Sequence, residues 1–237
     1  MPDALLLIIT AFFTSTLTAV VGLGGGLLLI SVMALILPPV AVIPVHGTVQ
    51  ICSNFSRAWF GRSEVTFSLL PAFAGGVALG SAAGAPLLKI FPAAWLPVPL
   101  GLFILLLTWL PKGAATIRLP GKFFSLGLAN GFTTLFVGAT GPLNMPVLLR
   151  HGLGSSQAVA TMAAMMTLVH LVKIAAFGFL GFAFAPYLPL IAGMVVAVTA
   201  GSWCGTRLRR RSPGDFLRLA IKLLLTFLAL RMIWLAL

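Results

Sequence analysis

The sequence predicts an all-α polytopic membrane protein of two inverted repeats, each a broken-helix hairpin followed by three transmembrane helices. Three observations lead there. The 237 residues are 60% hydrophobic and only 8% charged, too little charge to cover a water-soluble domain of this size. Apolar runs of about 18–25 residues, each long enough to span a bilayer, recur from end to end, and the short alternating segments of a β-barrel are missing. Glycine-containing breaks interrupt the apolar pattern once in each half.

In chain order, residues 4–37 read as one apolar stretch interrupted at Gly22, Gly24, Gly25 and Gly26. Plain spans follow at 44–62, 65–88 and 95–111, and then the polar, basic stretch PKGAATIRLPGK (111–122). The second half has the same order. Residues 121–149 are interrupted at VGATGPLNMP (137–146), and spans follow at 157–180, 186–206 and 215–236. The chain thus reads as a single membrane domain, with repeat 1 over about 1–111, a linker at 112–120 and repeat 2 over about 121–237. Residue matches agree with this order: Val21 with Val137, Gly22 with Gly138, Gly25 with Gly141, Leu27 with Leu143, and GSAAG (80–84) with GSWCG (201–205).

Charge sets the expected topology. There are 15 Lys and Arg against 3 acids, Asp3, Glu64 and Asp215. In a membrane chain that excess speaks to basic cytoplasmic loops rather than to nucleic acid. With Arg207, Arg209, Arg210 and Arg211 cytoplasmic, counting crossings puts Lys112, Arg118, Lys122, Arg150 and Arg62 on the same side and only Lys89 opposite. This count holds if each interrupted stretch enters and returns on one face. Each half then crosses an odd number of times, tandem halves are inverted, and both termini come out non-cytoplasmic, in a cell inner membrane or plasma membrane. Residues 1–20 lack the basic start of a cleaved signal peptide and are expected in the mature protein.

The breaks suggest a site. Residues 27–37 would form a helix of about 16 Å, half a bilayer, so a helix starting at Gly24–Gly26 begins near mid-membrane. Its first N–H groups lack helical partners and its dipole end is positive, which suits an anion. Thr140–Gly141 offers the same in the second half, with Asn144 one turn on. Close helix packing is the plainer reading of a membrane glycine. Two interruptions at equivalent places favour breaks, which survive only inside protein or beside a wet cavity. Inverted repeats with broken helices put a transporter's substrate near the midplane.

The polar residues in the spans supplement these helix starts. Arg57 and Lys173 align between the halves and read as anion attractors, one at each mouth, with snorkelling as the alternative. His170 reads as the histidine well inside a span, with His46 near a segment start and His151 in a loop. Thr48, Gln50, Asn54, Thr140, Asn144 and Thr161 supply neutral donors. The expected substrate site is therefore Gly24, Gly25, Gly26, Thr48, Asn54, Arg57, Thr140, Gly141, Asn144, Thr161, His170 and Lys173. Cys52 and Cys204 read as small buried hydrophobes. No metal site or cofactor is expected: there is no Cys/His cluster, and GLGGGL fails the dinucleotide spacing because position 27 is Leu. No catalytic set and no ATP-binding motif appear, so an enzyme is not expected. Any driving force comes from a coupling proton, an exchanged counter-anion or the substrate's own gradient. The expected partners are a small anion and the lipid bilayer.

The stretches VVGLGGGLLLI and HGTVQICSNFSRAWFGR, then FVGATGPLNMPVLL and AVATMAAMMTLVHLVKIAAFG, resemble the TauE/SafE sulfite exporter family over nearly the whole chain. The shared features are the glycine-rich break, the small-residue-plus-Thr pairs Gly47–Thr48 and Ala160–Thr161, and the later glycine pairs. The second break departs from the family's frequent run of glycines and reads GATGP. The resemblance implies a secondary transporter, an exporter, of sulfite, organosulfonates or related sulfur-containing organic anions. Another small anion such as a carboxylate, or a non-transporting scaffold or partner subunit, is the alternative.

Overall fold

A computed structural model describes residues 2–21, 24–109, 121–208 and 215–236, without the side chains of 215–218. Gly22, the linker and Arg209–Arg211 of the arginine loop lie outside the described residues. The described residues form ten α-helices and no strand. In order they are α1 (Pro2–Val21), α2 (Gly25–Met33), α3 (Pro39–Phe60), α4 (Leu70–Ile90), α5 (Pro97–Trp109), α6 (Lys122–Val137), α7 (Asn144–Arg150), α8 (Ser155–Phe179), α9 (Leu188–Leu208) and α10 (Asp215–Trp234). Four segments are long and apolar enough to cross a membrane on their own: Pro2–Val21, Phe67–Ile90, Ser155–Phe179 and Ala185–Leu208. Burial runs opposite to that of a soluble protein. Lys173 is 0% exposed while Phe179 on the same helix is 94% exposed, as expected where the surrounding solvent is lipid. The chain is a multi-pass membrane protein.

Both interrupted stretches are broken and double back. A Cβ on Gly25 would fall on the Thr14 carbonyl oxygen and on Thr18 Oγ1, whereas a continuous helix would put residues 14 and 25 about 16 Å apart. In the second stretch Asn130 Nδ2 donates to Asn144 Oδ1 at 2.8 Å, where a continuous helix would separate them by about 21 Å. The reversals need glycine. Gly24 has φ +93° and Gly138 φ +71°, a region that costs other residues strain. After Gly138, a 3-10 turn (Gly141–Leu143) leads into α7.

The largest helix–helix interfaces map onto one another when the two halves are exchanged, whereas α1–α2, α2–α10, α5–α6 and α6–α8 have no counterpart of similar size. The largest interfaces are α4 on α6 and α1 on α9, so each half's first helix packs on the other half's matching late helix. Missing side chains allow both close crossings: a Cβ on Gly80 would fall on the Leu128 carbonyl, and one on Gly201 on the Phe12 carbonyl. This is the small-residue packing of membrane helices. Beside them Ser81 Oγ donates to Gly131 O at 3.0 Å, and Ser202 Oγ lies 2.9 Å from Ser15 Oγ. Helices α3 and α8 pack on each other and run antiparallel, with Gly47 against Lys173 and Gly61 against Ala160. So do α5 and α10, with Gly101 against Ile233 and Trp109 Nε1 donating to Thr226 Oγ1 at 2.9 Å.

Candidate functional site

A cavity of about 50 Å³ opens between the two breaks. One water needs about 10–15 Å³ on this measure, so the space suits a compact group of three to five heavy atoms. Five elements line it: Thr18 of α1; Gly24, Gly26 and Leu27 at the first break; His46, Gln50, Asn54 and Arg57 of α3; Ala139, Gly141 and Pro142 at the second break; and Met162, Met166 and His170 of α8. The steps of four, four and three along α3, and of four and four along α8, keep each set on one helical face.

The α3 face is a continuous polar ladder. Arg57 donates from Nη1 to Asn54 Oδ1 and from Nη2 to Ser53 Oγ, both at 3.1 Å. Asn54 Nδ2 donates to the Gln50 carbonyl at 2.9 Å. Gln50 Nε2 stands 3.2 Å from His46 Nε2, which is itself 3.1 Å from Gly26 O. His46 Nε2 can serve only one of these two partners. When protonated it donates to Gly26 O, and the Gln50 amide N–H groups are then left for the cavity. Across the space His170 meets His46 edge to face, with ring centroids 5.9 Å apart. His170 Nδ1 has no hydrogen-bond partner among the described residues. At the first break Gly24 caps α2, whose 9 residues begin at Gly25 and present their unpaired amides there. The remaining lining, Leu27, Ala139, Pro142, Met162 and Met166, is apolar. Among the described residues no carboxylate lines the cavity. A guanidinium, amide and imidazole donors and a positive helix end in a low-dielectric interior are a set whose chemistry suits an anion rather than a cation.

The sulfite exporter TauE/SafE family model matches residues 7–232. The chain belongs to the TauE/SafE sulfite exporter family. It is therefore a membrane transporter of the class that handles sulfite and related small sulfur anions. No curated protein and no solved structure matched the chain.

Of the expected site residues of this TauE/SafE chain, Gly24, Gly26, Asn54, Arg57, Gly141 and His170 line the cavity. The other six do not. Gly25 is packed against α1. Thr48 Oγ1 donates to the Pro44 carbonyl of its own helix at 3.0 Å. Thr161 Oγ1 accepts from the Thr66 amide at 3.0 Å. Asn144 bridges Asn130 and Met166 Sδ, the latter at 3.3 Å. Thr140 is fully buried beside the second break, and its Oγ1 has no partner among the described residues. Lys173 Nζ donates to Gly138 O at 2.8 Å.

Two placements differ from the sequence reading. Arg57 and Lys173 are not at the mouths: they are 4% and 0% exposed. The partners that hold them inward, Ser53, Asn54 and Gly138 O, lie on the protein side of each helix. His46 is not at the edge of a segment. It lies eight residues into α3 and is fully buried, because α3 starts at Pro39 rather than at 44. Sequence reasoning missed His46, Thr18, Met162 and Met166. The 46–50–54–57 spacing was the signal that could have found His46.

Proposed function

We propose that this chain is a secondary transporter that exports sulfite, an organosulfonate or a related sulfur-containing organic anion. The anion is held in the cavity between the two broken helices, and access alternates between the two faces. The observation that carries this reading is the donor ladder Arg57–Asn54–Gln50–His46 facing the start of α2, in a cavity lined by no carboxylate among the described residues. Size supports the same class. A sulfite or sulfonate head has four heavy atoms, which fits about 50 Å³, and the Met162–Met166 wall receives an apolar substituent. The amides of α2 supply directed donors. The second break supplies fewer, since Pro142 has no N–H, so the two helix starts contribute unequally.

Alternating access follows from the repeat. The halves 1–111 and 121–237, joined by the linker 112–120, are inverted in this reading. Its support is the antiparallel pairing of the equivalent helices α3 with α8 and α5 with α10, and the exchanged interfaces α1–α9 and α6–α4. Such halves rock against each other around a fixed site. The basic loops then face the cytoplasm, in an inner or plasma membrane, with both termini outside; a C-terminal reporter active in the cytoplasm would overturn that orientation.

The test is flux in proteoliposomes against a panel of sulfite, short organosulfonates and carboxylates, with binding by calorimetry. Saturable flux and heat for the sulfur anions, with weak response to carboxylates, is the expected result. Preferential carboxylate flux would reassign the substrate, and absence of any anion flux by folded protein would overturn the transporter reading.

A further inference from the structure

We propose that Lys173 is the proton carrier of this transporter: its ammonium stands on the Gly138 carbonyl as a built-in cation at the second break, and its proton arrives and leaves with the anion. The inference rests on the anion-transport reading above.

Gly138 is where α6 ends, so its carbonyl belongs to the negative end of that helix. Carbonyls at broken-helix ends are where secondary transporters hold a coupling cation. Here a side chain of the protein fills that place, with Nζ 2.8 Å from Gly138 O. The position is built for it. A Cβ on Gly47 would come within 2.6 Å of Lys173 Cε and 3.2 Å of Nζ, so glycine at 47 leaves the lysine its path.

Among the described residues no buried carboxylate stands beside the charge. His46 faces it from α3 and His170 from its own helix, one turn away; Arg57 lies further along the α3 face. Among the described residues, the ionisable groups of α4, α6 and α7 (Lys89, Lys122 and Arg150) stand at helix ends. Arg62 and Glu64 pack at the other end of α8, near Ala160, about 20 Å from residue 173 along the helix. An amine so placed can exist in either protonation state, and the two states differ by a full charge. An arginine in its place could not give up its proton.

The coupling then follows from electrostatics. Arg57 lines the cavity and Lys173, on Gly138 O, stands behind its wall, so a protonated Lys173 adds a second positive charge to the same low-dielectric interior. An anion in the cavity offsets that repulsion and favours the ammonium, and by reciprocity the ammonium favours the anion. When the anion leaves, the proton is released with it. The Lys173–Gly138 contact adjoins the cavity: Ala139, the neighbour of Gly138, lines it together with His46 and His170. Anion and proton therefore cross in the same direction, one proton for each anion.

Ethanesulfonate is the probe, because its charge does not change with pH; if only sulfite binds, sulfite is used with its own titration subtracted. Calorimetry of the purified protein in two buffers of different ionisation enthalpy counts the protons taken up with the anion. Proteoliposomes containing a pH-sensitive dye follow the same protons during flux. Wild-type protein is expected to take up protons on binding, and a proton gradient is expected to drive anion flux severalfold above an equal sodium gradient. Lys173→Met and Lys173→Arg, checked for folding by size exclusion and thermal unfolding, should bind without proton uptake and should not respond to the proton gradient. His170→Gln should bind more weakly yet keep the proton count. Proton uptake that persists in either folded Lys173 variant overturns the proposal, as does its loss in His170→Gln alone. Anion flux by wild-type protein without proton movement overturns it and leaves the anion reading standing. Absence of any anion binding overturns both.

Discussion

Replacing Arg57 with glutamine tests the site most directly. Arg57 is 4% exposed, lines the cavity, and is held by Asn54 Oδ1 and Ser53 Oγ. Glutamine keeps an amide that can still donate to Asn54, so the ladder loses a charge and the hydrogen bond to Ser53 but little packing. At about 4 Å and an effective dielectric of about 20, a guanidinium and an anion attract by about 4 kcal/mol. Net contributions of hydrogen bonds to charged groups, after desolvation, are about 1.5–3 kcal/mol, which is the safer figure. It corresponds to roughly 10- to 150-fold weaker sulfite binding. Because the residue is buried, salt should screen the loss little. A charge at the mouth would instead show a loss that grows as salt is lowered. The assay is calorimetric titration with sulfite at several salt concentrations, with thermal unfolding as the control for folding. Binding within twofold of wild type, or a deficit that disappears at high salt, would refute the argument that Arg57 contacts the anion.

Three further outcomes follow. Gly138→Ala should lower stability by about 2–4 kcal/mol, combining left-handed strain with the overpacking of a Cβ that falls on Ile30 Cδ1; Gly178→Ala, where nothing lies within 4 Å, should leave the unfolding temperature unchanged. The Ile30→Ala/Gly138→Ala double variant should recover the steric part only, which a double-mutant cycle in thermal unfolding reads out. Thr161→Val and Thr48→Ala should leave sulfite affinity within about twofold, Thr161→Val costing about 1 kcal/mol of stability for the Thr66 amide it leaves unpaired; a tenfold loss of affinity in either would return that residue to the site.

Composition and hydropathy by themselves determined the architecture. The medium demands that each spanning segment satisfy its own backbone, so helix number, order and the two breaks are written in local runs of apolar residues and glycines. The matching order of elements likewise suggested two halves of one plan. What tertiary structure decided was which polar side chains share one space. On a helix buried on nearly all sides, such as α8, hydropathy carries no sign of which face meets the cavity, and only the crossing with α3 turns Met162, Met166 and His170 inward. Thr48 and His46 are two residues apart and point to different neighbours, one to its own backbone and one to the α2 carbonyl Gly26 O. Lys173 shows the limit most clearly. Its distance from a helix end suggested a charge reaching for water, but Gly47 on one helix and the broken end of another hold it inside the protein. A charge's destination depends on partners far away in sequence, and those are set only when the helices pack.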